Sequence, residues 1–253
     1  MTQFSANLGF LWSDRPLVDA IHAAQAAGFD AVECHWPYDH DPADLRAALD
    51  ETGLVMLGLN TPRGDVAAGD NGLAALVGRQ DEARVAIDRA IAYARAINAP
   101  KVHVMSGFAE GMQAEACFVE NLCYATDAAG DITFLIEPLN RHDAPGYFLN
   151  HSDQARRIIE SVGAPNLKLM FDCYHIQILE GDLTRRLSAN LDITGHIQFA
   201  GVPSRGRPDR GEINYPHVFA HIAELGYDAP LGAEYKPEGG DTDASLGWMK
   251  TLR

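Results

Sequence analysis

A single (β/α)8 barrel is the fold this chain predicts, and three observations predict it. Runs of β-forming apolar residues alternate with Ala-rich, helix-periodic stretches from one end to the other. The length, 253 residues, matches the roughly 250 that eight βα units take. Four successive strands in the second half each stop at an oxygen-bearing side chain. Residues 132–136 run into Glu137 with Pro138 behind it, 167–171 into Asp172, 195–197 into Gln198, and 231–233 into Glu234. A carboxylate in mid-core would need a partner or a metal. On the last residue of a barrel strand it faces the mouth, where such folds keep their chemistry. An open doubly wound sheet is the rival, but its glycine-rich first turn is missing, since Gly9-Phe10-Leu11-Trp12 is not G-x-G-x-x-G. No Gly/Ser linker or shift in composition divides residues 1–253, so one domain is expected.

Taken in order, residues 4–10 read as the first strand. Ser13 or Asp14 supplies an N-cap, with Pro16 early in the first turn. The helix runs to Ala27, with Leu17, Ile21 and Ala24 on one stripe and Gly28 as its stop. Strand two is 30–35. Asp41-Pro42 opens a helix that Gly53 closes, and strand three is 54–59. Residues 60–72, rich in Gly, Asp, Thr and Pro, form a long loop over one end. A helix spans 73–98 with a break at Gly78. Strand four is 101–105 and loop 107–111 follows. The next helix reads as short, with Ala128-Ala129-Gly130-Asp131 connecting it to strand five at 132–136. Residues 146–150 lead into a helix whose N-terminus is Ser152-Asp153. Strand six ends at Asp172, a short helix covers 182–190, and strand seven ends at Gln198. A second long loop, 202–215, carries Arg205, Arg207, Arg210 and Glu212. Tyr215-Pro216 starts a helix ending at Leu225-Gly226, strand eight ends at Glu234, and a last helix holds 245–252.

Composition narrows the function. Hydrophobic residues make up 47% of the chain, ample for a core, and the formal net charge is −15. A surface that acidic repels phosphate backbones, so nucleic acid is not expected as a partner. Cys34, Cys117, Cys123 and Cys173 include no C-x-x-C pair, which fits a reduced, cytoplasmic setting. The N-terminus has neither the basic nor the apolar region of a signal peptide. No apolar run approaches the ~18 residues of a membrane span. The expected partner is a small molecule, and assembly into a homo-oligomer is left open.

Three carboxylates meeting without a counter-charge would repel, and at least one would hold its proton. A divalent cation removes the conflict. Oxygen ligands suit Mg2+ or Mn2+ better than zinc, which prefers His and Cys. The competing reading is that each acid is a rim residue paired with its own Lys or Arg, and Lys236 beside Glu234 is the strongest such pair.

The runs Ile136-Glu137-Pro138-Leu139-Asn140, Pro145-Gly146-Tyr147-Phe148-Leu149, Phe171-Asp172-Cys173-Tyr174-His175-Ile176-Gln177, Gly211-Glu212-Ile213-Asn214-Tyr215-Pro216 and Glu234-Tyr235-Lys236-Pro237 together resemble the hydroxypyruvate isomerase family. Phe4-Ser5-Ala6-Asn7-Leu8 and His103-Val104-Met105 are similar as well, so the resemblance covers nearly the whole chain. It implies a TIM barrel with a divalent metal, Mg2+ or Mn2+, on Glu137, Asp172, Gln198 and Glu234. It further implies that Glu137 and Glu234 face each other across a keto-acid substrate as acid and base, with His175 as a substrate-binding neighbour. The implied reaction interconverts hydroxypyruvate and tartronate semialdehyde, or isomerises a close small keto acid such as 2-oxo-tetronate, through an enediolate. A ketose 3-epimerase or sugar dehydratase on the same metal site is the alternative, though those usually have His where this chain has Gln198. A DNA-repair endonuclease of the wider group would need a histidine cluster for three zinc ions and a basic groove, and the sequence has neither.

The chain departs from the family in one loop. Related sequences usually carry Arg-His-x-Pro after strand seven, and here Gly206 stands in the histidine's place, in Arg205-Gly206-Arg207-Pro208. Loops set substrate range on this fold. Arg205 and Arg207 could each grip a substrate carboxylate or be solvated loop charges. His103 either lines the pocket or is a satisfied core histidine. Glu33 is expected to reach the site or, by preference, to hydrogen-bond a loop, Phe10 and Trp12 to wall the mouth or simply pack, and Glu212 to cap the helix at Tyr215 or touch substrate.

Overall fold

A computed structural model of the chain describes residues 2–252. Eight parallel strands form the barrel: β1 (Phe4–Asn7), β2 (Ala31–Glu33), β3 (Leu59–Asn60), β4 (Lys101–His103), β5 (Thr133–Ile136), β6 (Leu167–Asp172), β7 (Thr194–Phe199) and β8 (Leu231–Ala233). They pair in the order β2-β1-β8-β7-β6-β5-β4-β3. The seam between the two ends of that row is closed by a bridge from Val32 to Met56, with the Leu57 N–H donating to the Val32 carbonyl at 2.7 Å. The TIM-barrel expectation therefore holds. No helix among the described residues is long and apolar enough to cross a membrane.

The outer layer begins with α1 (Leu17–Ala26), α2 (Pro42–Thr52), α3 (Gln80–Ala96), α4 (Gly111–Ala128) and α5 (Ser152–Val162). After β6 come α6 (Cys173–Leu179) and α7 (Leu183–Asn190), and after β7 comes α8 (Tyr215–Glu224). Asp41 caps α2 by accepting from the Ala43 N–H, and Gly53 ends it in the left-handed conformation, as its sequence predicts.

Several boundaries differ from expectation for local reasons. α1 starts only at Leu17, uncapped by a side chain. Ser13 and Asp14 lie in the preceding turn, where Trp12 has φ 51° and is tied through its N–H to Thr242. The third strand pairs only at Leu59–Asn60, because its earlier residues meet the three-residue β2 at a single bridge. Gly78, at φ 84°, does not break α3 but precedes it: Ala74 and Ala75 donate to the carbonyls of Met105 and Ser106 instead of starting a helix. α4, with 18 residues, is long rather than short. At α5 the cap is His151, whose Nδ1 accepts from Asp153, while Ser152 gives both its N–H and its hydroxyl to Glu180. α8 is capped by Asn214, not Glu212. The expected last helix is split into α9 (Thr242–Ser245), a 3-10 turn at Leu246–Trp248 and α10 (Met249–Leu252).

Alternation along the strands sends Phe4, Phe199 and their like outward to the helices. Trp248 packs edge-on to Phe4 at 5.0 Å and Phe199 at 5.5 Å between ring centres, and its indole N–H donates to Tyr235. The C-terminal segment is thus fastened over β1, β7 and β8. Trp248→Ala is expected to cost about 3–5 kcal/mol of stability, measurable by denaturant unfolding.

Candidate active site

The inward face of this barrel is unusually polar. Small and branched apolar residues fill the interior of most such barrels; here Ser5, Asn7, Glu33, His103, His196 and Gln198 are all buried along with the mouth carboxylates. Gln198 lies in register with Asp172 on one side and Gly232 on the other. Glu137 follows the last residue of β5 and Glu234 the last residue of β8, so four neighbouring strands do present their oxygens at one mouth.

Within that mouth, Glu137, Asp172 and His175 bring one ligand-type atom each to within 4.8 Å of one another, a group that can hold a metal ion. The His175 Nε2 stands 3.9 Å from Glu137 and 3.7 Å from Asp172. Burial pushes the Glu137 carboxyl well above the usual carboxylate range, and the charges of Glu234 and Asp172 push it further. Burial likewise raises Asp172, against the pull of Arg205. Glu234 is buried too, but the Arg205 guanidinium and His35 outweigh burial and hold it well below the ordinary value. Burial lowers His103 and His175, so both rings are neutral.

The donor set fits a hard cation. Three buried oxygens from three strand ends, Glu137 Oε1, Asp172 Oδ2 and Gln198 Oε1, have no hydrogen-bond partner, although the Arg205 guanidinium stands 3.5 Å from the second, and leaving such groups unpaired costs free energy that a bound cation would recover. His175 contributes differently. The Asn140 N–H donates to its Nδ1 at 2.9 Å, so the proton of the neutral ring sits on Nε2. That nitrogen is a donor aimed at Glu137 and Asp172, suited to a substrate oxygen rather than to a metal. The geometry is set by the chain immediately after Asp172, whose carboxylate caps α6 by accepting from the Tyr174 N–H at 2.8 Å. α6 was not expected from the sequence, and it is what turns His175 inward.

Arg205 is the counter-charge to the acids. It ion-pairs with Glu234, lies 3.5 Å from Asp172 and 3.4 Å from Asp143, and is sandwiched between the rings of Phe10 (4.9 Å) and Tyr174 (5.0 Å). Its backbone is left-handed, φ 53°, a strained state for a non-glycine residue. It is fastened by the Lys236 N–H donating to the Arg205 carbonyl at 2.7 Å. His103 sits inside the mouth, its Nδ1 3.3 Å from the Asn60 amide oxygen and 3.7 Å from Glu137.

Other expectations fall away. Arg207 pairs with exposed Asp209 rather than entering the mouth. Lys236 does not neutralise Glu234: its ammonium lies over the Phe10 ring at 5.7 Å. Glu33 bonds no loop but points into the barrel interior, 2.6 Å from His196. Phe10 does wall the mouth. Trp12 is packing, its indole on Asp243 and its ring edge-on to Phe29. Glu212 accepts from Gln177 at the surface. Gly206 pairs backbone to backbone with Gly201, tightening the loop that carries Arg205. Sequence reading missed Asn7, His35 and Asn140. Asn7 ends β1, so the strand-end rule applied to the first half of the chain would have found it, whereas His35 lies two residues past the end of β2.

A profile of the xylose isomerase-like TIM barrel family matches residues 21–252. The chain belongs to this family. It is 47% identical to a 2-oxo-tetronate isomerase of Cupriavidus necator, over 99% of this chain and 98% of that one. It is 40% identical to the hydroxypyruvate isomerase of Escherichia coli, over the whole of both chains. Among solved structures it superposes on one described as an AP endonuclease, family 2, from Brucella melitensis, with a TM-score of 0.95 and 40% identity across both full chains. A 3-keto-D-glucoside 4-epimerase of Escherichia coli shares the fold, with a TM-score of 0.81 at 19% identity over 99% of each chain. At these identities over full length, this member of the family is an isomerase of the hydroxypyruvate isomerase type.

Proposed function

We propose that the protein moves the carbonyl of a small 2-keto-3-hydroxy acid from C2 to C3, with hydroxypyruvate, which gives the aldehyde tartronate semialdehyde, and 2-oxo-tetronate, which gives a 3-keto acid, as the substrates of choice. The observation that carries this reading is that two buried carboxylates, Glu137 after β5 and Glu234 after β8, meet at one mouth with the unpartnered oxygens of Asp172 and Gln198. Their surroundings push them in opposite directions, Glu137 up through burial and Glu234 down through Arg205 and His35, and titratable groups driven apart in this way mark the acid and the base of a proton transfer. The keto acid needs one such transfer. A proton leaves C3, the electrons pass through an enediolate to C2, a proton is added there, and the hydroxyl proton moves from O3 to O2.

In this scheme Glu234 takes the carbon-bound proton and Glu137 delivers one to the neighbouring carbon. The Nε2–H of His175 donates to a substrate oxygen, and Arg205 and His103 complete the binding surface. Glu137, Asp172, Gln198 and Glu234 would hold a divalent cation, Mg2+ or Mn2+ by the hardness of their oxygens, and it supplies the positive charge that stabilises the enediolate. The near-complete burial of these side chains, roofed by Arg205 between two aromatic rings, favours a three- or four-carbon acid over a sugar.

The test is proton exchange in D2O, followed by NMR, with hydroxypyruvate, 2-oxo-tetronate and free ketoses, each with Mg2+ or Mn2+. Deuterium is expected at the carbon beside the carbonyl of a keto acid. Exchange into a free ketose with none into either acid would transfer the assignment to the epimerases.

A further inference from the structure

We propose that Gly9 is a positioning residue for the reaction, aiming the carboxylate of Glu234 through two side chains at once. The inference rests on the reading of Glu234 as the proton-transferring group. One oxygen of that carboxylate, Oε1, takes two fixed donors, Asn7 Nδ2 at 2.9 Å and His35 Nε2 at 2.8 Å. Both donors are set by Gly9. Its N–H donates to Asn7 Oδ1 at 2.9 Å, which turns the amide so that its NH2 faces Glu234. Its bare α-carbon is the seat of the His35 ring: a β-carbon there would lie inside van der Waals contact of Nδ1, Cε1 and Cγ together. Phe10, edge-on at 5.1 Å, and Trp36, at 5.0 Å, close other sides of the same ring, so it has little freedom to slide away.

The consequence is an asymmetric carboxylate. Oε1 is saturated by two donors that hold the plane of the group, and Oε2, now against Arg205, is the oxygen left to meet a cation or a carbon-bound proton. Without the two donors the carboxylate turns about its last bond, and its reacting oxygen loses its direction. The backbone of Gly9 lies outside the left-handed region, so alanine can adopt its conformation and Gly9→Ala acts only through the ring.

The experiment compares Gly9→Ala, His35→Ala, His35→Gln and the double variant Gly9→Ala/His35→Ala in the full chain. It reads kcat and KM on hydroxypyruvate at saturating Mn2+, Mn2+ affinity by calorimetry, and thermal unfolding. Gly9→Ala and His35→Ala are each expected to lose about 10- to 100-fold in kcat, the value of a hydrogen bond to a charged group, with KM little changed. Mn2+ affinity should fall in both. His35→Gln, which keeps an N–H donor, should recover part of the loss. The double variant should match His35→Ala alone, because the clash has lost its target. Wild-type kcat in Gly9→Ala overturns the proposal, as does a double variant that loses the product of the two single effects. If Gly9→Ala gives no cooperative unfolding transition, the double variant decides: it should fold and turn over as His35→Ala does, and its failure to fold would place the clash elsewhere. A wild-type protein that neither binds Mn2+ nor exchanges substrate protons would remove the reading of Glu234, and the role of Gly9 with it. One that does both while Gly9→Ala equals it would remove Gly9 alone.

Discussion

Glu137→Gln and Glu234→Gln are each expected to lower kcat by about 10²- to 10⁴-fold, the range that a positioned acid or base contributes. Their effects on the resting protein should be opposite, which separates chemistry from folding. Glu137 holds its proton when no cation is bound, because burial and the charges of Glu234 and Asp172 disfavour its ionised form. Gln is a near-isosteric copy of that neutral state. In EDTA, Glu137→Gln should therefore unfold at or above the wild-type temperature while turnover is lost. Glu234 is ionised and engaged on both oxygens, by Asn7 and His35 on one and Arg205 on the other. In Glu234→Gln the amide oxygen can keep Asn7 and His35, but its NH2 then faces the Arg205 donors. A donor against a buried donor costs about 1–3 kcal/mol, so this variant should unfold below wild type. Near-wild-type turnover in either one would end the two-acid mechanism.

Much of this was legible in the sequence, for reasons particular residues make clear. Strand ends are marked by a change from β-branched and aromatic residues to a carboxylate or amide, and Glu137, Asp172, Gln198 and Glu234 carry that mark without needing tertiary information. Helix starts were read less well, because loop residues compete for the same backbone donors: the segment before Gln80 spends its N–H groups on the end of β4. Arg205 and Arg207 are equivalent in sequence and opposite in structure. What distinguishes them is a left-handed φ at Arg205, locked by Lys236 from the β8 side, and no local pattern announces that contact. Asn7 and His35 escaped notice because Asn7 is a lone amide at the end of β1 and His35 lies two residues past Glu33, the carboxylate that ends β2. Only closure of the barrel, which seats β1 between β2 and β8, turns them into partners of Glu234. Gly9 lay further out of sight, since its contribution is the space it leaves.

Removing the divalent cation is expected to abolish turnover, with recovery on adding Mn2+ or Mg2+, and the pH dependence of that recovery follows from the acids themselves. Asp172 is raised to about 8, chiefly by burial, so near neutral pH the metal-free mouth retains a proton there that a cation must expel, while Glu137, raised further, keeps the one it delivers to substrate. Affinity for Mn2+ should accordingly rise with pH until Asp172 is ionised. Calorimetric titration in two buffers of different ionisation enthalpy should report proton release at the low end. Stability carries the same sign. A folded-state pKa raised above the unfolded one gives stability that is complete below the unfolded value and is lost as pH climbs through the folded one. The depressed Glu234 acts oppositely, but its contribution is lost only as pH falls through its lowered value, on the acid side of the ordinary carboxylate range. From mildly acid to mildly alkaline pH the metal-free protein should therefore unfold at progressively lower temperature, and the Mn2+-loaded protein should resist that decline because the cation replaces the missing protons. Affinity that is flat across this range, with no proton release in either buffer, would mean that the orphaned oxygens of Glu137, Asp172 and Gln198 are not where the cation binds.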